Sequence, residues 1–376
     1  MTLPPTSIAV LMGGPSAEHD VSLVSGRAIA TALLGAGHDV SGWLLDLDGG
    51  WWRLPEVGLD PRLALEDFRH PAVLGAVGPV SAATALEQLA ATDPRPIVFP
   101  ALHGPFGEDG QVQSLLESAG LTYCGSGPAA SAVGMDKSLF KRVCGTLELP
   151  LLPWAEVRAA EHAAAPERIE DGLRRFISGF ADRRLIVKPA CLGSSIGITI
   201  VHVVDDPDEL REALAEAFRY DDLAIVEPYL DHPRELETSV MGNTRLDTAA
   251  YGPGEIKPGR EFYDYVAKYQ SDESITDEQA DLDPELAESI RQAAVEVYLA
   301  IGASGFARVD MLLSTDGIPY ISEINTIPGF TPISLFPRMT ASGGYDFVGT
   351  CERVVELAIE RAAARPDRRL VPEDLP

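Results

Sequence analysis

The chain of 376 residues carries 57 acidic against 30 basic side chains, a formal net charge of −27. A surface so negative repels nucleic acid and anionic lipid, so neither is an expected partner. With 45% hydrophobic and 23% charged residues the composition is globular and allows two or three domains with substantial cores.

SIAVLMGG followed by the apolar-periodic SLVSGRAIATALLGAGHDV predicts strand, loop and helix, with Gly35 and Gly37 ending the helix. VSGWLLDL predicts a second strand, which makes the opening Rossmann-like α/β. The stretch from Gly49 to about Pro94, rich in Pro, Gly and Ala, reads as an embellishment. PIVFPALHG resumes as a strand with His103 beyond its C-terminal end, where open parallel sheets bind ligands. DGQVQSLLESAG predicts a helix and LTYCGS another strand. From SAVGMDKSLFKRVCGTLELP onward a helix gives way to hairpin-like strands, RRLIVKPA, IGITIVHV, DLAIVEPYL and LETSVMGN. The expected organisation is therefore an α/β unit over 1–126 and two α+β subdomains over 127–226 and 227–376. No segment reaches the roughly 18 uninterrupted apolar residues of a membrane helix. The start lacks a basic leader. Cys124, Cys144, Cys191 and Cys351 form no CxxC pair, which suits a reducing compartment. A cytoplasmic location is expected.

The segment GFARVDMLLSTDGIPYISEIN holds Asp316-Gly317 between two apolar runs, the signal of a hairpin with a two-residue type I′ loop. Thr315 then faces Ile318, Asp310 faces Glu323 and Arg308 faces Asn325, all four of the latter on one face. A solvated sheet face would tolerate charge, but Asp opposite Glu is destabilising by up to about 1 kcal/mol unless something neutralises the pair. A hard divalent cation does so. Asp310, Glu323 and Asn325 offer three oxygen-bearing side chains that suit Mg²⁺ or Mn²⁺, with phosphate oxygens filling the rest of the shell. On this argument Asp310→Asn relieves a repulsion and keeps the fold. No GxxxxGK[ST] occurs and CGSGPAAS lacks a dinucleotide fingerprint. Instead, LIVKPACLGSSIGI delivers Lys188 on a strand and then Gly193, Ser194, Ser195 and Gly197 in a loop whose amides and hydroxyls can meet phosphate. Alone this is also what an ordinary Gly-Ser turn looks like, and Lys137 in GMDKSLFKR also reads as a solvated helix lysine.

Taken together, GGPSAEHDVSL, HGPFGEDG, MDKSLFKR, VKPACLGSSIG, RELE, FYDYVAKY, GFARVDMLL and SEINTIPGFTPIS span nearly the whole chain. In that order they resemble the D-alanine–D-alanine ligases of the ATP-grasp superfamily. The resemblance implies a Rossmann-like (pre-ATP-grasp) domain followed by an ATP-grasp fold of two α+β subdomains. It implies ATP as substrate, two Mg²⁺ or Mn²⁺ ions, and joining of two D-alanines through an acyl phosphate to supply peptidoglycan precursor. It also implies a homodimer. Lys137 and Lys188 would contact ATP phosphates, and the loop with Ser194 and Ser195 would close over them. Glu227 would face the adenine amino group with Tyr229 and Leu230 beside the base, Glu235 would bind ribose, and Phe262 would cover the base. Asp310, Glu323 and Asn325 would hold the metals, Glu323 bridging. Arg308 would hold the carboxylate or the developing transition state, and Gly329 and Ser334 would receive the second substrate's carboxylate. Glu18 would bind the first ammonium, linked through Ser194 to Tyr269, with His103 lining the same pocket. Alone, Glu18 reads as a helix-start acid and His103 as a capped loop histidine. A lid over about 254–275 would fold across ATP through Lys268 and Tyr269.

The chain departs from the family pattern at Cys191, where a polar residue is common, and at Val266. DHPRELE is one residue longer than the usual spacing from Glu227. The alternative within the family is a D-alanine–D-lactate or D-alanine–D-serine ligase, and Tyr269 favours the dipeptide. A protein that binds nucleotide without turnover is the reading of another class.

Overall fold

The structure is a computed structural model and describes residues 3–180, 182–204, 206–257 and 275–365. Strand β1 (Ser7–Gly13) is wholly apolar after its first residue, as a strand covered on both faces must be. Around it β2 (Asp39–Leu45), β3 (Trp51–Leu54), β4 (Val77–Val80) and β5 (Ile97–Pro100) form a sheet ordered β4-β3-β2-β1-β5. The pairs of β1 with β2 and β5 are parallel, and β3 and β4 add antiparallel strands at one edge. The Pro- and Gly-rich stretch is thus part of the sheet rather than an appendage. Trp51, buried against Trp43 with ring centroids 6.4 Å apart, anchors it. The strand expected at LTYCGS reduces to an isolated bridge between Val98 and Tyr123.

A second sheet takes β6 (Ala155–Arg158), β7 (Leu185–Pro189), β8 (Thr199–Val201) and β9 (Leu223–Pro228) in the order β6-β9-β7-β8. A third takes β10 (Arg234–Gly242), β11 (Ala249–Lys257), β12 (Ile275–Asp277), β13 (Gly305–Leu313) and β14 (Pro319–Asn325) in the order β12-β11-β10-β13-β14. Every pairing in both is antiparallel. Helices Pro166–Ile177 and Pro207–Ala217 pack on the second sheet around Leu173, Ile177, Leu210 and Leu214, which with Val187 and Val226 form a core of its own. The first and third sheets instead share one. Phe99 of β5 meets Phe306 of β13 and Phe330, with centroids 6.1 and 5.7 Å apart. The long helix Phe347–Ala363 adds Val354, Val355 and Leu357 to the same cluster. Each buried aromatic or aliphatic side chain there is worth about 2–3 kcal/mol of transfer free energy.

The acidic hairpin has the expected pairs by a different route. Ser314 N–H donates to Ile318 O (3.0 Å) and Gly317, at φ +85°, closes a three-residue loop rather than a two-residue one. The Ser314 hydroxyl accepts from Ile318 N–H and donates to Asp316, which favours this longer loop. The pairing is displaced by one residue, Leu313 against Pro319 and Met311 against Ile321. A bulge at Ser322 then restores Asp310 opposite Glu323 and Arg308 opposite Asn325.

Candidate active site

One cleft of about 1270 Å³ opens between the three sheets, and all described residues named from the sequence as site candidates line it. Glu18, His103, Arg308, Gly329 and Ser334 lie towards the first sheet. Lys188, Ser194, Ser195, Glu227, Tyr229 and Leu230 come from the second, and Lys137, Glu235, Asp310, Glu323 and Asn325 complete the lining. Phe262, Val266, Lys268 and Tyr269, with most of the expected lid, lie outside the described residues.

On the nucleotide side Asp136 caps the helix Lys137–Cys144 by accepting the N–H groups of Ser138 and Leu139. Lys137 Nζ reaches Leu192 O at 2.6 Å and Glu323 at 3.5 Å. Ser194 and Ser195 take left-handed backbone, φ 54° and 57°, in the loop after β7. Such strain costs of order 1 kcal/mol or more per residue and is a feature of ligand clamps. Gly197 (φ +71°) closes the loop, and a Cβ there would sit 2.7 Å from the Tyr220 ring. At the end of β9, Glu227 is buried with Lys188 Nζ 2.5 Å from one oxygen and Lys141 Nζ against the other. Burial works to raise its carboxyl, but Lys188 and Lys141 together hold it below the usual range. The Arg184 guanidinium lies 4.4 Å from the Tyr229 ring centroid.

On the opposite side Ser194 Oγ donates to Glu18 at 2.5 Å, joining the loop of the second sheet to the start of helix His19–Gly35. Ser16 Oγ accepts from Glu18 N–H and donates to His103 O, both at 2.9 Å. His103 is buried, and burial lowers its pKa against the raising effect of Glu18. Ile327 O can only accept, so the Nδ1 contact at 2.9 Å makes Nδ1 the protonated nitrogen, and Nε2 takes the Ser25 hydroxyl at 2.9 Å. Glu108 holds the same residue from its N–H side, accepting Ile327 N–H at 3.2 Å and Gly104 N–H at 2.9 Å. Its carboxyl is pushed well above the usual range, by burial first and by Glu18 second. These bonds fix the chain leading to Gly329, which lies under Ser334, itself bonded to Thr331.

Between the two sides Glu237, Asp310 and Glu323 stand in register on β10, β13 and β14. Arg308 makes two bonds to Asp310, 2.7 and 2.6 Å, and lies 3.2 Å from Glu237. Burial works to lower its pKa, but Asp310 and then Glu237 raise it well above the ordinary range. Asn325 Nδ2 donates to Asp310 at 2.9 Å. The facing acids are therefore neutralised by the protein's own cations, Arg308 on Asp310 and Lys137 on Glu323, and do not by themselves require a metal. Among the described residues no three carboxylate, imidazole or thiol groups converge on one ion. Asp310, Glu323 and Asn325 nonetheless fit a hard cation that draws its remaining ligands from water and phosphate.

Sequence models of the N-terminal and C-terminal parts of D-ala D-ala ligases match residues 7–126 and 143–356. The chain belongs to the D-alanine–D-alanine ligase family. D-alanine–D-alanine ligase of Mycolicibacterium smegmatis is 40% identical over 95% of this chain and 96% of its own, and that of Halothermothrix orenii 34% over 94% and 98%. Among solved structures, the D-alanine-D-alanine ligase from Coxiella burnetii superposes with a TM-score of 0.75 at 30% identity, covering 96% of each chain. The VanG D-Ala:D-Ser ligase from Enterococcus faecalis gives 0.77 at 28%, covering 94% of this chain and 99% of its own. Within this family frame the site contains polar residues that sequence reading passed over. Strand alternation could have found Glu237, two residues after Glu235. HGPFGEDG contains Glu108 in plain view, and Lys141 lies one helical turn after Lys137. Ser25 carried no signal.

Proposed function

We infer that the protein catalyses the ATP-dependent, ADP-forming ligation of two D-alanines to D-alanyl-D-alanine. A single cleft joining Glu18, bonded to Ser194, with Lys137, Lys188 and Arg308 carries this reading. Glu18 meets the ammonium of the first D-alanine and Arg308 its carboxylate, which attacks the γ-phosphorus as the bond to the β,γ-bridging oxygen breaks and ADP leaves. Lys137, Lys188 and the Ser194–Ser195 loop hold the phosphates in line, so positioning and charge supply most of the rate. The amine of a second D-alanine, its carboxylate received at Gly329 and Ser334, then attacks the acyl carbon. Phosphate departs and the amine loses its proton.

Glu227, Tyr229 and Leu230 take the adenine and Glu235 the ribose. Asp310, Glu323 and Asn325 would hold the Mg²⁺ or Mn²⁺ ions, two by the family resemblance, which would neutralise phosphate charge. His103, with both ring nitrogens already bonded, acts by positioning Ile327 and Ser25 rather than by moving a proton. Phe262, Lys268 and Tyr269 keep the family roles that their sequence positions suggest. The subdomain limits at 126 and 226 remain our division of the chain. A cytoplasmic homodimer supplying peptidoglycan precursor completes the reading; the four free cysteines support the reducing compartment alone. No described helix is long and apolar enough to cross a membrane.

The test is ADP formation with D-alanine as sole co-substrate and Mg²⁺ present. Turnover that requires D-alanine, yields dipeptide, falls to background with L-alanine and stops on chelation with EDTA is expected. Equal turnover with the two enantiomers would overturn it. Preferred incorporation of D-serine or D-lactate in competition would shift the acceptor.

A further inference from the structure

The helix Lys137–Cys144 presents two lysines, and only the first lines the cleft. Lys141 is 1% exposed and fixed on three sides: an ion pair with Glu227, a bond to Leu152 O at 3.3 Å, and the Trp154 ring 5.5 Å away. Nothing in the ligation chemistry uses it. Its partner Glu227 has its other oxygen on Lys188, whose ammonium does line the cleft. One carboxylate thus holds two cations, one lining the cleft and one buried behind it.

We propose that Lys141 is a positioning residue for nucleotide selection: it is the standing countercharge that keeps Glu227 ionised and aimed at the base when Lys188 turns to the phosphates. The proposal rests on the assignment of Glu227 to the adenine amino group. Lys188 has three N–H donors but a single positive charge, so a phosphate that draws it forward competes with Glu227 for that charge. When it leaves, a buried carboxylate without Lys141 would either retain Lys188 or take up a proton, because an isolated buried charge is costly. Retention weakens phosphate binding. Protonation spoils the acceptor for the 6-amino group. Lys141, held by three partners and absent from the cleft lining, prevents both.

The measurement is kcat/KM for ATP and for ITP, which carries a 6-oxo group in place of the amino group, in wild type, Lys141→Met, Glu227→Gln and the double variant. Losing a charge-assisted contact is expected to raise KM for ATP about tenfold or more in Lys141→Met, to shrink the preference for ATP over ITP, and to leave KM for D-alanine unchanged. In the double variant Lys141 has no carboxylate to balance, so it should match Glu227→Gln alone. A general packing role would lower both nucleotides equally and add to Glu227→Gln, which overturns the proposal. If Lys141→Met fails to fold, the double variant, which removes both charges, still decides: folding with the kinetics of Glu227→Gln supports the proposal and further loss refutes it. If Glu227→Gln leaves the ATP preference intact, the adenine assignment itself fails.

Discussion

Asp310 accepts three bonds, two from Arg308 and one from Asn325, so its charge is spoken for before any ligand arrives. That reverses the sign of a substitution. Read as one of a repelling pair, Asp310→Asn should relieve strain. In the structure it strips half-buried Arg308 of its main partner and leaves it Glu237 at 3.2 Å and the weaker influence of Glu323. Loss of a charge-assisted pair with partial compensation costs about 1–3 kcal/mol, so the ligand-free variant should melt a few degrees lower yet stay folded. Mg²⁺-dependent ADP formation should fall about a hundredfold or more. Calorimetry and a coupled ADP assay check both halves, and a higher melting temperature would restore the repulsion argument. The facing of Asp310 and Glu323 was readable because strand alternation is local. Their neutralisation was not, because Lys137 reaches Glu323 from a helix far away in sequence.

The helix Lys137–Cys144 stands where it does because one carboxylate ties it down. Glu156 of β6 accepts from Ser138 Oγ (2.8 Å), from Arg142 (2.6 and 3.2 Å) and from Trp154 Nε1 (3.2 Å). The Arg142 bonds first, then Ser138 and Trp154, bring its pKa from the ordinary 4.5 to about 2. A carboxyl depressed on folding contributes stability that is present above its unfolded value and is lost as pH falls from about 4.5 towards 2. Glu156→Gln should therefore cost about 1 kcal/mol at neutral pH, flatten the acid limb across that window, and converge with wild type near pH 2. Urea titrations at several pH values measure this, and parallel limbs would sink it. Because the helix carries Lys137, KM for ATP should rise with the same substitution. Elements of this kind were legible unevenly. Apolar runs such as RRLIVKPA and DLAIVEPYL became β7 and β9, since a buried strand advertises itself by composition. The three-residue loop and the Ser322 bulge stayed hidden. Their one-residue displacements cancel, so the right register came from a wrong turn.

The cleft has one fixed wall and one separable wall. The first and third sheets share the cluster of Phe99, Phe306, Phe330 and Phe336, and Arg361 bonds both Ser304 Oγ and Tyr123 O at 2.7 Å. The second sheet keeps its own core. The motifs foretold that three units meet at one site. They could not foretell which two fuse, because Phe99 and Phe306 lie in different sequence units and aromatic residues advertise burial, not partners.

This division separates the consequences of a core mutation. Phe306 sits among Phe99, Phe330 and Phe336, with centroids 6.1, 5.7 and 5.6 Å away. Phe330 follows Gly329, so the packing of Phe306 reaches the substrate side through one peptide bond, while Glu227 and Lys188 lie on the second sheet. Phe306→Ala should destabilise the protein by about 3–5 kcal/mol. At a temperature where the variant remains folded, KM for D-alanine should rise several-fold while affinity for adenine, held by Glu227, Tyr229 and Leu230, stays near wild type by titration calorimetry. A parallel loss of adenine affinity would mean that the two cores move as one, and the separation of substrate and adenine walls would not hold.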